Sequence, residues 1–265
     1  MDKGMAQFLD MSERVIVVTG GAQGIGWGIV CTFLREGGTV LCVDLVKPDE
    51  KAVAGLGSYR DKLHYVDMDI SDPELVMKFF NRIEGNFGKV DVLVNNAGVM
   101  YKTTIENMDC DKWDKVIRVN LTGSMLMARA AIPSMKKQSW GRIMNIASTQ
   151  AFVGTKTYGA YTASKAGMVG LTRVLAAELV GDNITVNTVC PSFARTPMIN
   201  ASVDALAKSS GLSREEALAQ FVSQCPQKRL IEPEEIGHVL VFLASDMARG
   251  ITGQIILVNG GRFMR

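Results

Sequence analysis

The chain has 265 residues, 47% of them hydrophobic, and a formal net charge of +2. That suffices for a sizeable core and lacks the excess of cations that binding to nucleic acid or an acidic membrane surface requires. Cys31, Cys42, Cys110, Cys190 and Cys225 show no C-x-x-C spacing, His64 and His238 stand in no ligand-spaced cluster, and MDKGMAQFLDMSER has no signal-peptide stretch; no disulfide framework or metal is expected, and the protein reads as cytoplasmic.

Residues 14–19, RVIVVT, form a β-branched run that reads as the first strand. It ends in Thr19-Gly20-Gly21-Ala22-Gln23-Gly24-Ile25-Gly26 and a helical stretch. A second run, TVLCVD at 39–44, closes on Asp44 about 20 residues beyond that turn. Further apolar runs lie at 63–66, 90–94 (VDVLV), 142–147, 184–190 (ITVNTVC) and 254–258 (QIILV), each separated from the last by a helical pattern. Continuous apolar strands alternating with helices predict a doubly wound, Rossmann-like α/β fold, a seven-stranded parallel sheet with helices on both faces. Residues 1–265 read as a single domain. The stretch from about 192 to 229 breaks the alternation after the sixth strand, where a lid over a ligand site is expected.

The turn at 19–26 is a T-G-x-x-x-G-x-G pattern between strand and helix. Its glycines let backbone amides approach a pyrophosphate, and the helix N-terminus adds partial positive charge. Gly20, Gln23, Gly24, Ile25 and Gly26 are therefore expected to contact a dinucleotide. Asp44 can accept hydrogen bonds from both ribose hydroxyls of NAD and repels the extra phosphate of NADP, so NAD is expected over NADP. Asp69-Ile70 stands where a carboxylate and a backbone amide can receive the adenine, although Asp69 can equally cap the next helix. Asn95-Asn96-Ala97-Gly98 is a small-residue turn that can pack against the cofactor.

Tyr161 and Lys165 lie four residues apart on one helix face, and Ser148 ends the apolar run RIMNIAS. The ammonium at that spacing is expected to lower the phenol pKa, and the serine hydroxyl to hold the oxygen of an alcohol or ketone. Spacing alone is weak evidence, because tyrosine and lysine fall four apart on many amphipathic helices.

Taken together and in order, T-G-x-x-x-G-x-G, Asp69, N-N-A-G at 95–98, Asn120, Ser148, Y-x-x-x-K at 161–165, Pro191 and Thr196 resemble the short-chain dehydrogenases/reductases over nearly the whole chain. The resemblance implies that Ser148 binds the substrate oxygen and that Tyr161 is the acid/base. It implies that Lys165 contacts the nicotinamide ribose and that Asn120 holds a water extending the proton path. Asn96, Ala97, Gly98, Pro191 and Thr196 join the expected cofactor contacts. It also implies a homotetramer built through the long helices around 110–137 and 160–180 and through the last strand.

Two positions depart from the family pattern. Pro191-Ser192 stands for Pro-Gly, and Val258-Asn259-Gly260-Gly261 stands for Val-Asp-Gly-Gly. The expected activity is NAD(H)-dependent interconversion of a secondary alcohol and a ketone. A 3-oxoacyl-carrier-protein reductase is the alternative, and a non-catalytic dinucleotide sensor is a more distant one. Ser148, Gln150, Phe152, Tyr158, Tyr161 and Phe193 are the expected substrate contacts, with Met100 and Met198 nearby.

Overall fold

A computed structural model describes residues 9–264. Seven strands form one sheet in the order β3-β2-β1-β4-β5-β6-β7, every adjacent pair parallel. They are β1 (Val15–Thr19), β2 (Thr39–Asp44), β3 (Leu63–Asp67), β4 (Val92–Asn95), β5 (Gly141–Ile146), β6 (Ile184–Pro191) and β7 (Ile255–Val258). All seven expected strands are present, most shifted at an end by a residue or two. β4 begins two residues later than the apolar run, and Asp91 just before it is tied to β1, its N–H donating to the Val15 carbonyl at 2.9 Å. Its carboxylate accepts from the Val15 N–H at 2.8 Å and faces Arg14 and Lys89.

The first two helices, α1 (Gly24–Arg35) and α2 (Glu50–Ala54), flank β2. Then come α3 (Pro73–Phe87), α4 (Cys110–Ile117) and, after a π-helical turn at Arg118–Gly123, α5 (Ser124–Lys137). The chain continues through α6 (Gly159–Leu179), α7 (Pro197–Ser210), α8 (Arg214–Ser223) and α9 (Pro233–Ala244).

Side chains alternate across each strand, so β1 feeds two cores. Ile16 and Val18 pack with Ile29, Phe33 and Leu240 beneath α1 and α9. Val15 and Val17 pack with Phe80, Met127 and Val186 on the opposite face. With both faces covered, the inner strands are buried throughout, which explains their unbroken apolar sequences. A Cβ on Gly28 would run into Pro233, whose carbonyl carbon would stand 2.8 Å away, so α1 and α9 meet at backbone distance there.

β1 pairs with β2 on one side and β4 on the other. The chain reverses its winding direction there, which opens a crevice at the carboxyl ends of the strands.

Candidate active site

The glycine turn sits at this crevice, at the end of β1. Gly20 has φ +62°, and a Cβ there would come within 2.7 Å of Ala97 Cα. A Cβ on Gly26 would collide with the Gly20 carbonyl, so the turn accepts glycine only. The N-cap of α1, Gln23, makes no side-chain capping hydrogen bond, and no acid stands in the first turn. The helix therefore offers uncapped amides and its positive end to an anion.

Asp44 Oδ2 accepts from the Ala22 N–H at 3.0 Å and Oδ1 from Val46 at 3.3 Å, which ties the end of β2 to the turn. A carboxylate has about four acceptor positions, so others remain for a ligand. The turn of Asn96, Ala97 and Gly98 is fastened to the same place. Asn96 Nδ2 donates to the carbonyls of Thr19 and Gly20, both at 2.9 Å, and the Asn96 and Ala97 amides donate to Thr19 Oγ1.

Asp69 does not cap the next helix. Its Oδ1 accepts from the amide and hydroxyl of Ser71, both at 2.8 Å, while Asp72 supplies the cap of α3. Ile70 is buried in the core beneath Gly123. Thr196 caps α7 through Ile199, and its Cγ2 lies against Gly24, where a Cβ would meet it at 3.2 Å. The start of the 192–229 excursion thus rests on the glycine turn.

Ser148, Tyr161 and Pro191 line one cleft, with Lys165 buried behind Tyr161. The Gln150 N–H donates to Ser148 Oγ at 3.2 Å, and the serine side chain stands close enough to the Tyr161 phenol to draw its pKa down. Lys165 Nζ lies 5.7 Å from the Tyr161 ring centroid and donates to the Ile146 carbonyl at 2.7 Å. Burial pushes the Tyr161 phenol up to about 12 and pulls the Lys165 ammonium down to about 8. The lowered phenol pKa expected from the four-residue spacing is therefore not found. The ammonium engages a carbonyl, and desolvation of the phenol outweighs the lowering influence of Ser148.

Asn120 is fully buried in the π-helical turn. Its Oδ1 accepts from Val99 N–H at 2.8 Å, and its Nδ2 donates to the Val99 carbonyl and to Ser164 Oγ, each at 3.0 Å. A Cβ on Gly98 would sit 3.3 Å from Asn120 Oδ1 and 3.5 Å from Lys165 Nζ. The dinucleotide-side turn and the Tyr161–Lys165 helix are thereby brought into contact.

Gln150, Tyr158 and Phe193 line the cleft as expected, together with Met100 and Met198. The cleft holds about 650 Å³ of space, counted out into open solvent. Gln150 Oε1 is buried with no hydrogen-bond partner. Phe152 is not among the cleft-lining residues; its ring stacks on Phe263 at 5.7 Å with planes 5° apart.

The family model described as Enoyl-(Acyl carrier protein) reductase matches residues 20–262. A D-beta-hydroxybutyrate dehydrogenase of Rhizobium meliloti is 35% identical over 254 residues, 94% of this chain and 98% of the relative. The chain belongs to the short-chain dehydrogenase/reductase family. A 3-oxoacyl-[acyl-carrier-protein] reductase of Aquifex aeolicus is 36% identical over 96% of this chain and 99% of its own length. An acetoacetyl-CoA reductase of Shinella zoogloeoides is also 36% identical, over 95% and 99%.

The chain is thus an oxidoreductase, and membership of the short-chain dehydrogenases/reductases implies a nicotinamide dinucleotide cofactor. The glycine-only cradle and the uncapped end of α1 fit such a group. Sequence reasoning missed Arg262, which lines the cleft from the turn after β7. It also missed the polar ladder Asn95–Asn145–Thr172–Thr188 beneath the site, whose signal is asparagine inside apolar strand sequence. Among the described residues no group of three or more His, Cys, Asp or Glu is placed to hold a metal, and no helix is long and apolar enough to cross a membrane.

Proposed function

We propose that the protein interconverts a secondary alcohol and a ketone with NAD(H), using Tyr161 as acid/base. The observation that carries this reading is that Ser148 and Tyr161 face one cleft together, with Lys165 and Asn120 buried behind them. The bound nicotinamide supplies or takes the hydride. Ser148 holds the substrate oxygen, its orientation fixed by the Gln150 amide. In ketone reduction Tyr161 donates its phenol proton to the developing alkoxide, and its raised pKa keeps that proton in place at neutral pH. Lys165 and Asn120 carry the proton path behind the phenol, and the unpartnered Gln150 amide is placed to meet a polar group of the substrate.

Gly20, Gln23, Gly24, Ile25 and Gly26 hold the pyrophosphate in this reading, and Asp44 reads the adenosine ribose. Leu45 and Val46, the two residues after Asp44, are exposed and offer no cation to a 2′-phosphate, which supports NAD over NADP. Residues 192–229 act as the lid, since Thr196 touches both the glycine turn and the start of α7. The protein assembles as a homotetramer. β7, at the sheet edge, leaves Ile255, Ile256, Leu257 and Val258 all only half-buried, and Val174 on α6 is exposed.

The relatives named for acyl-carrier and coenzyme A thioesters favour a second reading, in which the substrate is a 3-oxoacyl thioester. Turnover of acetoacetyl-CoA with NADPH in preference to free ketones with NADH would establish it. The primary reading is tested by Tyr161→Phe. Secondary-alcohol oxidation, followed through nicotinamide absorbance, is expected to fall by about 10²–10⁴-fold, while NADH still binds. Full residual activity would refute the acid/base assignment.

A further inference from the structure

Among the described residues lining the cleft, Arg262 alone is charged. Its guanidinium lies 3.7 Å over the Phe193 ring, which also pairs edge-on with Phe221 at 5.2 Å. Nη1 donates to Ser192 Oγ at 3.3 Å and Nη2 to Gln224 Oε1 at 3.2 Å. Both acceptors are neutral. A guanidinium carries five N–H donors, so these two bonds leave others for a ligand. No carboxylate of the described residues forms an ion pair with it. Burial already weighs against its charge, lowering its pKa from the ordinary arginine value. A cation half-withdrawn from water with no counter-ion gains most from an anion brought to it.

Both departures from the family pattern converge on this side chain. Ser192 supplies the hydroxyl that receives Nη1. Asn259, buried after β7, shapes the turn that carries Arg262: its Oδ1 accepts from Gly261 N–H at 3.0 Å and its Nδ2 donates to the Phe263 carbonyl at 2.6 Å. An aspartate could accept the first bond but could not donate the second. The Phe263 ring, stacked on Phe152, ties the same turn to the segment that follows Ser148.

We propose that Arg262 is the anion anchor of the cleft and that the alcohol or ketone turned over there carries a carboxylate: the substrate is a hydroxy acid or the matching keto acid. The inference rests on the alcohol/ketone reading above. In oxidation the carbinol carbon gives up a hydride, with its electron pair, to the nicotinamide. The hydroxyl passes its proton to Tyr161 Oη as the phenol releases its own along the path of Lys165 and Asn120, and the carboxylate passes through unchanged on the planar fork of Arg262. Arg262 is the one cation of the described lining, with Lys102 held outside it on Ser202 Oγ at 3.0 Å; one such charge matches a carboxylate, whereas a phosphate monoester brings nearly two.

The test uses lactate, 3-hydroxybutyrate and mandelate, each against its methyl ester, with glycerol 3-phosphate alongside. At least one acid is expected to exceed its ester in kcat/KM. Arg262→Gln is expected to lower that acid-to-ester ratio by about 10- to 100-fold, chiefly through KM, with partial recovery in Arg262→Lys. NADH binding reports that each variant is folded. Equal use of acid and ester, an acid preference that survives Arg262→Gln, or preferred turnover of glycerol 3-phosphate would overturn the proposal. If no alcohol is oxidised, the alcohol/ketone reading fails, and equilibrium binding of the same three acids decides the anchor separately. Binding that weakens more than tenfold in Arg262→Gln supports it, and binding that is absent or unchanged overturns it.

Discussion

Lys165 is held in the fold at a cost that can be measured. Its side chain is 3% exposed, its ammonium donates to one carbonyl at 2.7 Å, and burial lowers its pKa from 10.5 to about 8. Each pKa unit is worth 1.36 kcal/mol, so keeping the ammonium charged destabilises the folded chain by about 3 kcal/mol relative to the unfolded one. Between pH 8 and 10.5 the unfolded chain binds a proton that the folded chain has released, so stability from this group rises with pH across that window. The full penalty applies below pH 8. Lys165→Met keeps much of the volume and removes the charge. Allowing ~1 kcal/mol for the lost hydrogen bond, the variant is expected to be more stable than the natural chain by about 2 kcal/mol at pH 7. At pH 9.5 that advantage is expected to shrink by about 2 kcal/mol. Tyr161 is common to both proteins, and Cys190, pushed up to about 12 although Lys165 draws it down, stays protonated in the folded state at both pH values with or without the lysine. Urea unfolding at pH 7 and 9.5, at one protein concentration, reads the change. A stability difference that stays constant with pH would refute the reasoning, as would a loss of stability at pH 7.

Three further outcomes are expected. Asp44→Asn, which removes the charge proposed to read the ribose, should lower the NAD-to-NADP ratio of kcat/KM by more than about tenfold; an unchanged ratio in nicotinamide absorbance assays would count against Asp44 as the selector. Gly28→Ala should force α1 off Pro233 and destabilise the protein by about 1–3 kcal/mol; a melting temperature equal to that of the natural chain would show that the helices part freely. Asn259→Asp, losing the donor to Phe263, should reduce the acid-to-ester ratio in the same direction as Arg262→Gln, and an unaltered ratio would show that the turn holds without it.

The fold was legible because each inner strand is covered on both faces and so announces itself as a continuous apolar run. The site was legible where chemistry is local: the glycine cradle, Asp44 and the Tyr161–Lys165 spacing all lie within short segments. It was less so where groups meet across the fold. The pKa of Tyr161 depends on its burial and on where the Lys165 ammonium finds a carbonyl, neither of which a four-residue spacing reveals. Phe152 follows Ser148 closely in sequence, yet pairs with Phe263 from the other end of the chain. Arg262 becomes a cleft residue only because the turn after β7 folds back to Ser192 and Gln224. Asn259 and Ser192 were visible as departures, but their shared target was not.

The wide turn at Arg118–Gly123 makes the spacing of the chain itself part of the site. A π-helical turn accommodates extra backbone relative to regular α-helix. Deleting one residue from RVNLTG would let α4 and α5 run on as regular helix. Asn120 would swing away from both Val99 and Ser164, the two points it now joins. This stretch therefore tolerates changes of identity on its outer face more readily than any change of length, and a single-codon deletion there would uncouple the loop after β4 from the helix of Tyr161 without removing any residue that touches substrate.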